Sequence, residues 1–226
     1  MLTDAHAHFL PCMDDGSQSM EMSLEMLERL HAQGVERAVA TPHFYLHREP
    51  DPAAYLEKRQ ARFDALLEQQ PPVELRLGAE IAIEQGISDL PQLPQLAVTG
   101  TDLILLELPY APYQSWMEQE VHAIAVQHGL TPVIAHIHRY LMWYSAAELD
   151  AVLGWDAVFQ VNAEAFDSFR QKRVVKELWK RGLPVLFGSD CHDLSGRKPN
   201  FDLLQHKAKP ERIQQAERLF AQHIVH

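Results

Sequence analysis

Cysteine is scarce in this chain: Cys12 and Cys191 are the only two among 226 residues. That is too few for a disulfide scaffold and suits a reducing cytoplasm. No run of 18 apolar residues occurs, so neither a transmembrane helix nor membrane insertion is expected. The opening MLTDAH has no basic n-region and no apolar h-region, which argues against a signal peptide. Positive charge is the minority sign, with 20 Lys and Arg against 31 Asp and Glu and a formal net charge of −11. Such a balance argues against a nucleic-acid partner. It leaves a phosphorylated substrate open, because bound metal ions reverse the local sign. There is no low-complexity linker and no internal repeat. A single domain spanning 1–226 is expected, and 46% apolar residues suffice for a large core.

Histidine, by contrast, is abundant, with 13 residues. His6 and His8 project from one face of the strand-like run 2–8, because side chains on a strand alternate with period two. Two adjacent imidazoles repel as cations and leave lone pairs unused when neutral, and a metal ion resolves both. Further strand-like runs span 35–41, 73–83, 101–108, 131–137, 157–163 and 184–190. Helical patterns alternate with them. One covers roughly 19–33 and stops at Gly34; another opens at Asp51-Pro52; a third ends at Gly129. A fourth opens on the capping box Ser145–Glu148, a fifth covers about 166–181, and polar helices close the chain. Seven βα units in series predict an α/β fold with a mostly parallel sheet, closed or distorted into a barrel. In such barrels chemistry sits at the carboxyl ends of the strands.

Those ends carry His6 and His8, then His43, Glu80, Glu107, His136 with His138, Asn162, and Asp190 with His192. One polar residue at a strand end is ordinary, but seven successive strand ends that each carry one are not. Glu80 and Glu107 lie in strongly apolar runs, where an unpaired carboxylate is costly. Imidazole and carboxylate without an evident thiolate suit Mn, Fe or Zn. The candidates exceed what one ion can use, so two or three divalent ions are expected, with Glu80 bridging. Such clusters activate water for displacement at phosphorus. Arg139 and Arg197 each follow a ligand motif closely and have the chemistry to clamp a phosphate bidentately.

The ordered set H-A-H-F-L-P-x-x-D-D-G, A-T-P-H, G-A-E-I, L-x-E-L-P, I-A-H-x-x-R-Y, Q-V-N and S-D-x-H runs nearly the length of the chain. It resembles the PHP superfamily of metal-dependent phosphatases, and within it the bacterial capsule and exopolysaccharide tyrosine-protein phosphatases. The resemblance implies a distorted (β/α)7 barrel and a trinuclear, commonly manganese-dependent site. It implies that His6, His8, Glu80 and Asp190 bind one ion, that Glu80, Glu107 and His136 bind a second, and that Asp15, His43 and His192 bind the third. Asp15 is preferred to Asp14 because the carboxylate beside the glycine matches the motif. Arg139 and Arg197 fall where the family binds substrate phosphate.

The reaction so implied is hydrolysis of protein phosphotyrosine by activated water. The implied substrate is a bacterial tyrosine kinase of polysaccharide export. Phenolate, with a pKa of about 10, leaves without strong acid help. Histidinol phosphate or another small phosphomonoester is the alternative substrate, and a non-catalytic metal-binding module is the alternative of another class. Two positions depart from the family. His138 replaces a usual glutamate, leaving open an auxiliary role, a leaving-group acid or neutral variation. Cys191 sits between two ligands, and C-H-D-L-S-G-R over 191–197 matches the Cys-x5-Arg loop of cysteine-dependent phosphatases. Asp190 and Asp193 would disfavour both a thiolate and a phosphate there.

Overall fold

The computed structural model describes residues 1–225. Its elements run β1 (Thr3–Ala7), α1 (Met20–Ala32), β2 (Arg37–Ala40), β3 (His43–Phe44), α2 (Pro52–Leu67), β4 (Glu74–Leu77), β5 (Glu80–Ala82) and α3 (Leu93–Leu96). After these come β6 (Leu103–Glu107), α4 (Ser115–His128), β7 (Thr131–Ile134), α5 (Ala146–Val152), β8 (Val158–Asn162), α6 (Phe169–Arg181), β9 (Val185–Gly188), α7 (Asp202–Lys207) and α8 (Pro210–Gln222). Local chemistry accounts for the helix boundaries. The Ser19 hydroxyl accepts from the Met22 amide to start α1, and Asp51 accepts from Ala53 and Ala54 ahead of Pro52 in α2. Both halves of the Ser145–Glu148 capping box are formed. The helix expected from 166 begins at Phe169, because residues Ala163–Phe166 form a separate 3₁₀ turn and the Ser168 hydroxyl caps α6 by accepting from the Gln171 amide.

All strand pairs are parallel, in the orders β1-β2-β4 and β3-β5-β6-β7-β8-β9. The run expected at 35–41 forms β2, and after a break at Thr41-Pro42, where the proline has no N–H to donate, β3 continues beyond it; the run expected at 73–83 is interrupted at Gly78-Ala79. Hydrogen bonds across the gap keep each pair of short strands in one course: the Gly78 amide donates to Ala40 at 2.8 Å and the Glu80 amide to Pro42 at 3.0 Å. Seven strand courses result. No ladder joins β1 to β9, but two backbone bonds do: the Asp190 amide donates to the His6 carbonyl at 2.7 Å, and the His8 amide to the Cys191 carbonyl at 2.9 Å. Gly188 permits this approach, since a Cβ there would lie 2.7 Å from both the His6 Cβ and Gln160 Nε2. This is the distorted parallel α/β barrel the pattern predicts.

The helices bury one face: Met26, Leu27 and Leu30 of α1, and Val174, Val175 and Leu178 of α6, share one continuous core with Phe159, Phe187 and other strand residues. Each such large apolar side chain contributes about 1.5–3 kcal/mol on burial. No helix among the described residues is long and apolar enough to cross a membrane.

Candidate metal centre and active site

The carboxyl ends of the strands gather the expected polar residues at one mouth. His6 comes from β1 and His8 directly follows it, His43 comes from β3, Glu80 from β5 and Glu107 from β6, while His136, Asp190 and His192 follow β7 and β9. His136 and Asp190 adopt positive φ, 29° and 51°, at the turns leaving their strands. Non-glycine residues held there store of order 1–3 kcal/mol of strain each. Both are buried in the cluster, where packing and hydrogen bonds hold them.

Three groups have ligand atoms close enough to share an ion: His6, His8, Glu80 and Asp190; His8, Asp15, His43 and His192; and His43, Glu80 and Glu107. The first is the set expected for one ion, and the second contains the expected trio with His8 added. In the third, His43 stands where His136 was expected. His136 is nevertheless adjacent, with Nε2 2.7 Å from Glu80 and 3.5 Å from Glu107. Glu80 belongs to two groups.

Distances in the first group test whether it suits a metal. His6 Nε2 and His8 Nε2 are 3.1 Å apart. They stand 3.1 and 3.2 Å from Glu80 Oε2, and 3.5 and 3.4 Å from Asp190 Oδ1. Atoms about 2.1 Å from a common ion stand about 3.0 Å apart at right angles and about 3.4 Å apart at tetrahedral angles. Outward partners fix the rings: His6 Nδ1 meets Gln160 Oε1 at 3.2 Å, and His8 Nδ1 meets Asp14 at 2.7 Å. With Nδ1 of each ring held outward, both Nε2 atoms face two carboxylates, an arrangement a divalent cation satisfies. His43 Nδ1 and His192 Nε2 are also buried without a hydrogen-bond partner. The residues fit a metal.

The cluster is strongly polarised. Burial opposes charge throughout, yet Asp14 and Glu80 raise His8 to about 10, while Glu80 and Glu107 raise His136 to about 9. Conversely His6, Arg139 and His8 hold the buried Asp190 carboxylate far below its ordinary range, and His6 with His136 does the same for Glu80. Burial and the neighbouring His8 push His192 down to about 3. Groups that attract protons this strongly attract a divalent cation for the same reason, and lose it to protons in acid.

Asp14 and Asp15 divide their work. Asp14 accepts from His8, from the His43 amide at 2.9 Å and from the Gly16 amide at 3.0 Å, so it orients the rings from behind. Asp15 is largely exposed and lies 3.5 Å from His43 and 3.6 Å from His192. Gly16 is required because a Cβ would lie 2.6 Å from the His8 Cβ and overlap its carbonyl. Gln160 supports the cluster from below: its Oε1 accepts from the His136 amide at 2.7 Å, and its Nε2 donates to Asn162 at 2.8 Å. Asn162 then donates to Asp190 at 3.0 Å. The Q-x-N alternation on one strand face was the signal for Gln160. Glu164 had no such signal, being exposed by sequence and brought to the mouth only by the turn after β8.

Both arginines reach Asp190. Arg139 Nη1 lies 2.5 Å from one oxygen with Nη2 2.5 Å from Glu164, and Arg197 Nη2 lies 3.0 Å from both Asp190 oxygens. Both line a cavity of ≈ 690 Å³ with His43, Glu80, Glu107 and His136 at its polar end. Its walls include Tyr45, stacked on His43 at 5.3 Å, and Tyr110, stacked on His136 at 6.0 Å. His138 is fully buried, with both ring nitrogens unpartnered, and burial followed by Arg139 lowers it to about 4. It is neutral near pH 7 and has no proton to give a leaving group. Cys191 is also fully buried, and burial followed by Asp4 raises its thiol well above the ordinary range. It therefore lacks the thiolate a cysteine mechanism needs.

A parallel α/β barrel with histidines and carboxylates converging at the carboxyl ends of its strands is the architecture of the PHP-type metal-dependent phosphatases. The chain belongs to the CpsB/CapC family of capsular polysaccharide synthesis, whose family model matches residues 2–222. It is 32% identical over 143 residues to the tyrosine-protein phosphatase YwqE of Bacillus subtilis, covering 61% of this chain and 55% of that one. The chain thus spans little more than half of that relative. It is 25% identical over 219 residues to the tyrosine-protein phosphatase CpsB of Streptococcus agalactiae, covering 88% of this chain and 86% of that one. The fold is similar to a solved structure from the pair YwqE of Bacillus subtilis and CpsB of Streptococcus pneumoniae, described as unique metal-dependent tyrosine phosphatases. There the TM-score is 0.72 at 24% identity, over 98% of this chain and 87% of that one. The histidinol phosphate phosphatase of Lactococcus lactis shares the fold at a TM-score of 0.57 and 15% identity, over 100% and 94% of the two chains.

Proposed function

We propose that the chain is a metal-dependent protein-tyrosine phosphatase formed by one PHP-type domain. In this reading His6, His8, Asp15, His43, Glu80, Glu107, His136, Asp190 and His192 hold two or three divalent ions, manganese first among them. Arg139 and Arg197 grip the phosphate. The observation that carries this is the convergence of two guanidinium groups beside an imidazole–carboxylate cage, at one end of a cavity walled by tyrosines. Bound there, divalent ions supply an acidified water and offset the charge that develops on the phosphoryl oxygens.

The chain's own residues do the rest. Arg139 and Arg197 offer paired N–H donors to the non-bridging oxygens, and those contacts strengthen as negative charge accumulates. Tyr45, stacked on His43, and Tyr110, stacked on His136, offer aromatic faces to an aryl substrate in the cavity. Burial, followed by Glu107, raises both phenols above their ordinary range, so they stay neutral walls. No neutral-pH acid is needed on the leaving side, because tyrosine departs as a phenolate. Membership of a capsule-synthesis family supports a bacterial tyrosine kinase of polysaccharide export as substrate.

Elemental analysis of the purified protein, joined to turnover of a phosphotyrosine peptide and of histidinol phosphate, tests the reading. Two or three ions per chain, loss of activity on chelation, recovery with manganese and preference for the peptide are expected. Full activity with one ion or fewer per chain, or preference for histidinol phosphate, would overturn it.

A further inference from the structure

Beside the active-site cavity lies a second groove, of ≈ 360 Å³, between α6 and the segment that precedes and forms α5. Its floor is apolar, with Leu141, Leu149 and Val174, and Arg170, Arg173 and Arg181 stand on its rim. Arg181 is committed to Asp150 and Glu177. Arg170 and Arg173 are exposed and make no ion pair among the described residues, and Lys176 continues their side of the helix. Helix α6 carries six Lys or Arg against one acidic residue, Glu177, in a chain whose formal net charge is −11. The cations therefore form a local patch, which the overall charge does not explain.

One short segment contributes to both the groove and the cavity. Leu141 belongs to the same 3₁₀ turn, Ile137–Met142, as Arg139, whose guanidinium lines the cavity. Just beyond that turn Trp143 is 50% exposed, with its ring 6.0 Å from that of Tyr110 on the cavity wall. A substrate chain that left the cavity past Tyr110 and Trp143 would run toward the segment that carries Leu141.

We infer that this groove binds the substrate's own chain beside the phosphotyrosine, and that it selects a segment carrying carboxylates or further phosphates together with an apolar residue. The inference rests on the phosphatase reading for its substrate. A membrane surface fits less well. The apolar face of α6, with Val174, Val175 and Leu178, is buried in the core, leaving Phe169 as the helix's fully exposed apolar side chain. Bilayer-binding helices need a broad free apolar face. The net negative charge of the molecule also opposes approach to an anionic bilayer.

The test uses two phosphotyrosine peptides that differ only in having glutamate or glutamine at the flanking positions, with p-nitrophenyl phosphate as a substrate that has no flanks. The wild type is expected to favour the glutamate peptide by roughly 3- to 10-fold in kcat/KM, the range for two partly exposed charge pairs. Arg170→Gln/Arg173→Gln should abolish that preference and leave p-nitrophenyl phosphate turnover unchanged. Anisotropy with the unphosphorylated glutamate peptide reads binding without turnover, so it decides the groove's role even if the phosphatase reading fails. Equal handling of the two peptides by the wild type, or a preference that survives in the double variant, overturns the inference. So does loss of binding to phosphatidylserine vesicles in the double variant with no change toward peptides, which would assign the patch to a membrane.

Discussion

Arg139 holds Asp190 on one side and Glu164 on the other, so its guanidinium is pre-positioned at the cavity. Arg139→Ala removes one charge-assisted contact to a developing anion. That should cost about 2–4 kcal/mol of transition-state stabilisation, or roughly 30- to 1000-fold in kcat/KM. Metal content and circular dichroism should be unchanged; wild-type kcat/KM in a metal-replete variant would count against the clamp. Cys191 and Asp190 give a sharper contrast, because they are adjacent and differ in what they face. The Cys191 sulfur is buried and absent from the cavity lining, whereas the Asp190 carboxylate meets three histidines and two arginines. Cys191→Ser should keep most activity, and Asp190→Ala should lose nearly all of it with part of its metal. A dead Cys191→Ser variant with a full metal complement would show that the thiol does chemistry.

Individual elements explain how such a dense polar cluster is tolerated. Its ligands lie at strand ends or just beyond, so their backbones are held by the sheet while their side chains meet above it. β9 matters most, because its last residue, Gly188, lets β1 close to hydrogen-bonding distance. Gly188→Ala forces a methyl against His6 and Gln160, neither of which is a free surface group. Overpacking of this kind costs about 1–3 kcal/mol. Urea unfolding should show a lowered midpoint with an unchanged slope, and metal affinity should fall because His6 is displaced. An unaltered midpoint would mean that the β1–β9 approach contributes nothing to stability.

For the whole molecule, metal binding and folding are linked. An ion at 100 times its dissociation constant stabilises by about 2.7 kcal/mol, or roughly 5–10 °C in Tm for a chain of this size. Chelation should lower Tm by that amount, as read by calorimetry, and manganese should restore it; no shift would argue that the cage holds no ion. Shifts of both signs shape the pH dependence of the chelated protein. His8, raised from 6.5 to about 10, contributes stability that is complete below pH 6.5 and is lost as pH rises through 10. Asp14, lowered from 3.8 to about 2, contributes stability present above pH 3.8 that is lost as pH falls through 2. His138 and His192, lowered from 6.5 to about 4 and about 3, contribute stability that is full above pH 6.5 and is lost as pH falls. The chelated protein should therefore be most stable near pH 6.5, and its Tm should decline between pH 7 and 10. Metal loading should abolish the alkaline decline, because the ion takes the place of the His8 proton. A flat alkaline limb in the chelated protein would disprove the linkage.

Features that depend on near neighbours were legible in the amino-acid order. The seven strand courses, the Asp51 and Ser145 caps, and the placing of His6 and His8 on one strand face come from period-two alternation and local hydrogen bonding. Fold class was legible too, because alternating strand and helix patterns leave few ways to bury both. The break at Gly78 fell inside one of those runs and the strand resumed after Pro42 lay beyond another, since periodicity does not register a missing Cβ or a missing N–H. The tertiary structure decided matters of approach between distant segments. It set Asp14 behind His8 and Asp15 before His192, brought Gln160 and Glu164 to the cluster, and buried His138 and Cys191 away from solvent. It also placed the free arginines of α6 beside the turn that carries Arg139. Those distances depend on how far strands twist and helices lean across the whole barrel. No local pattern encodes that, because the energy fixing it is spread over the entire core.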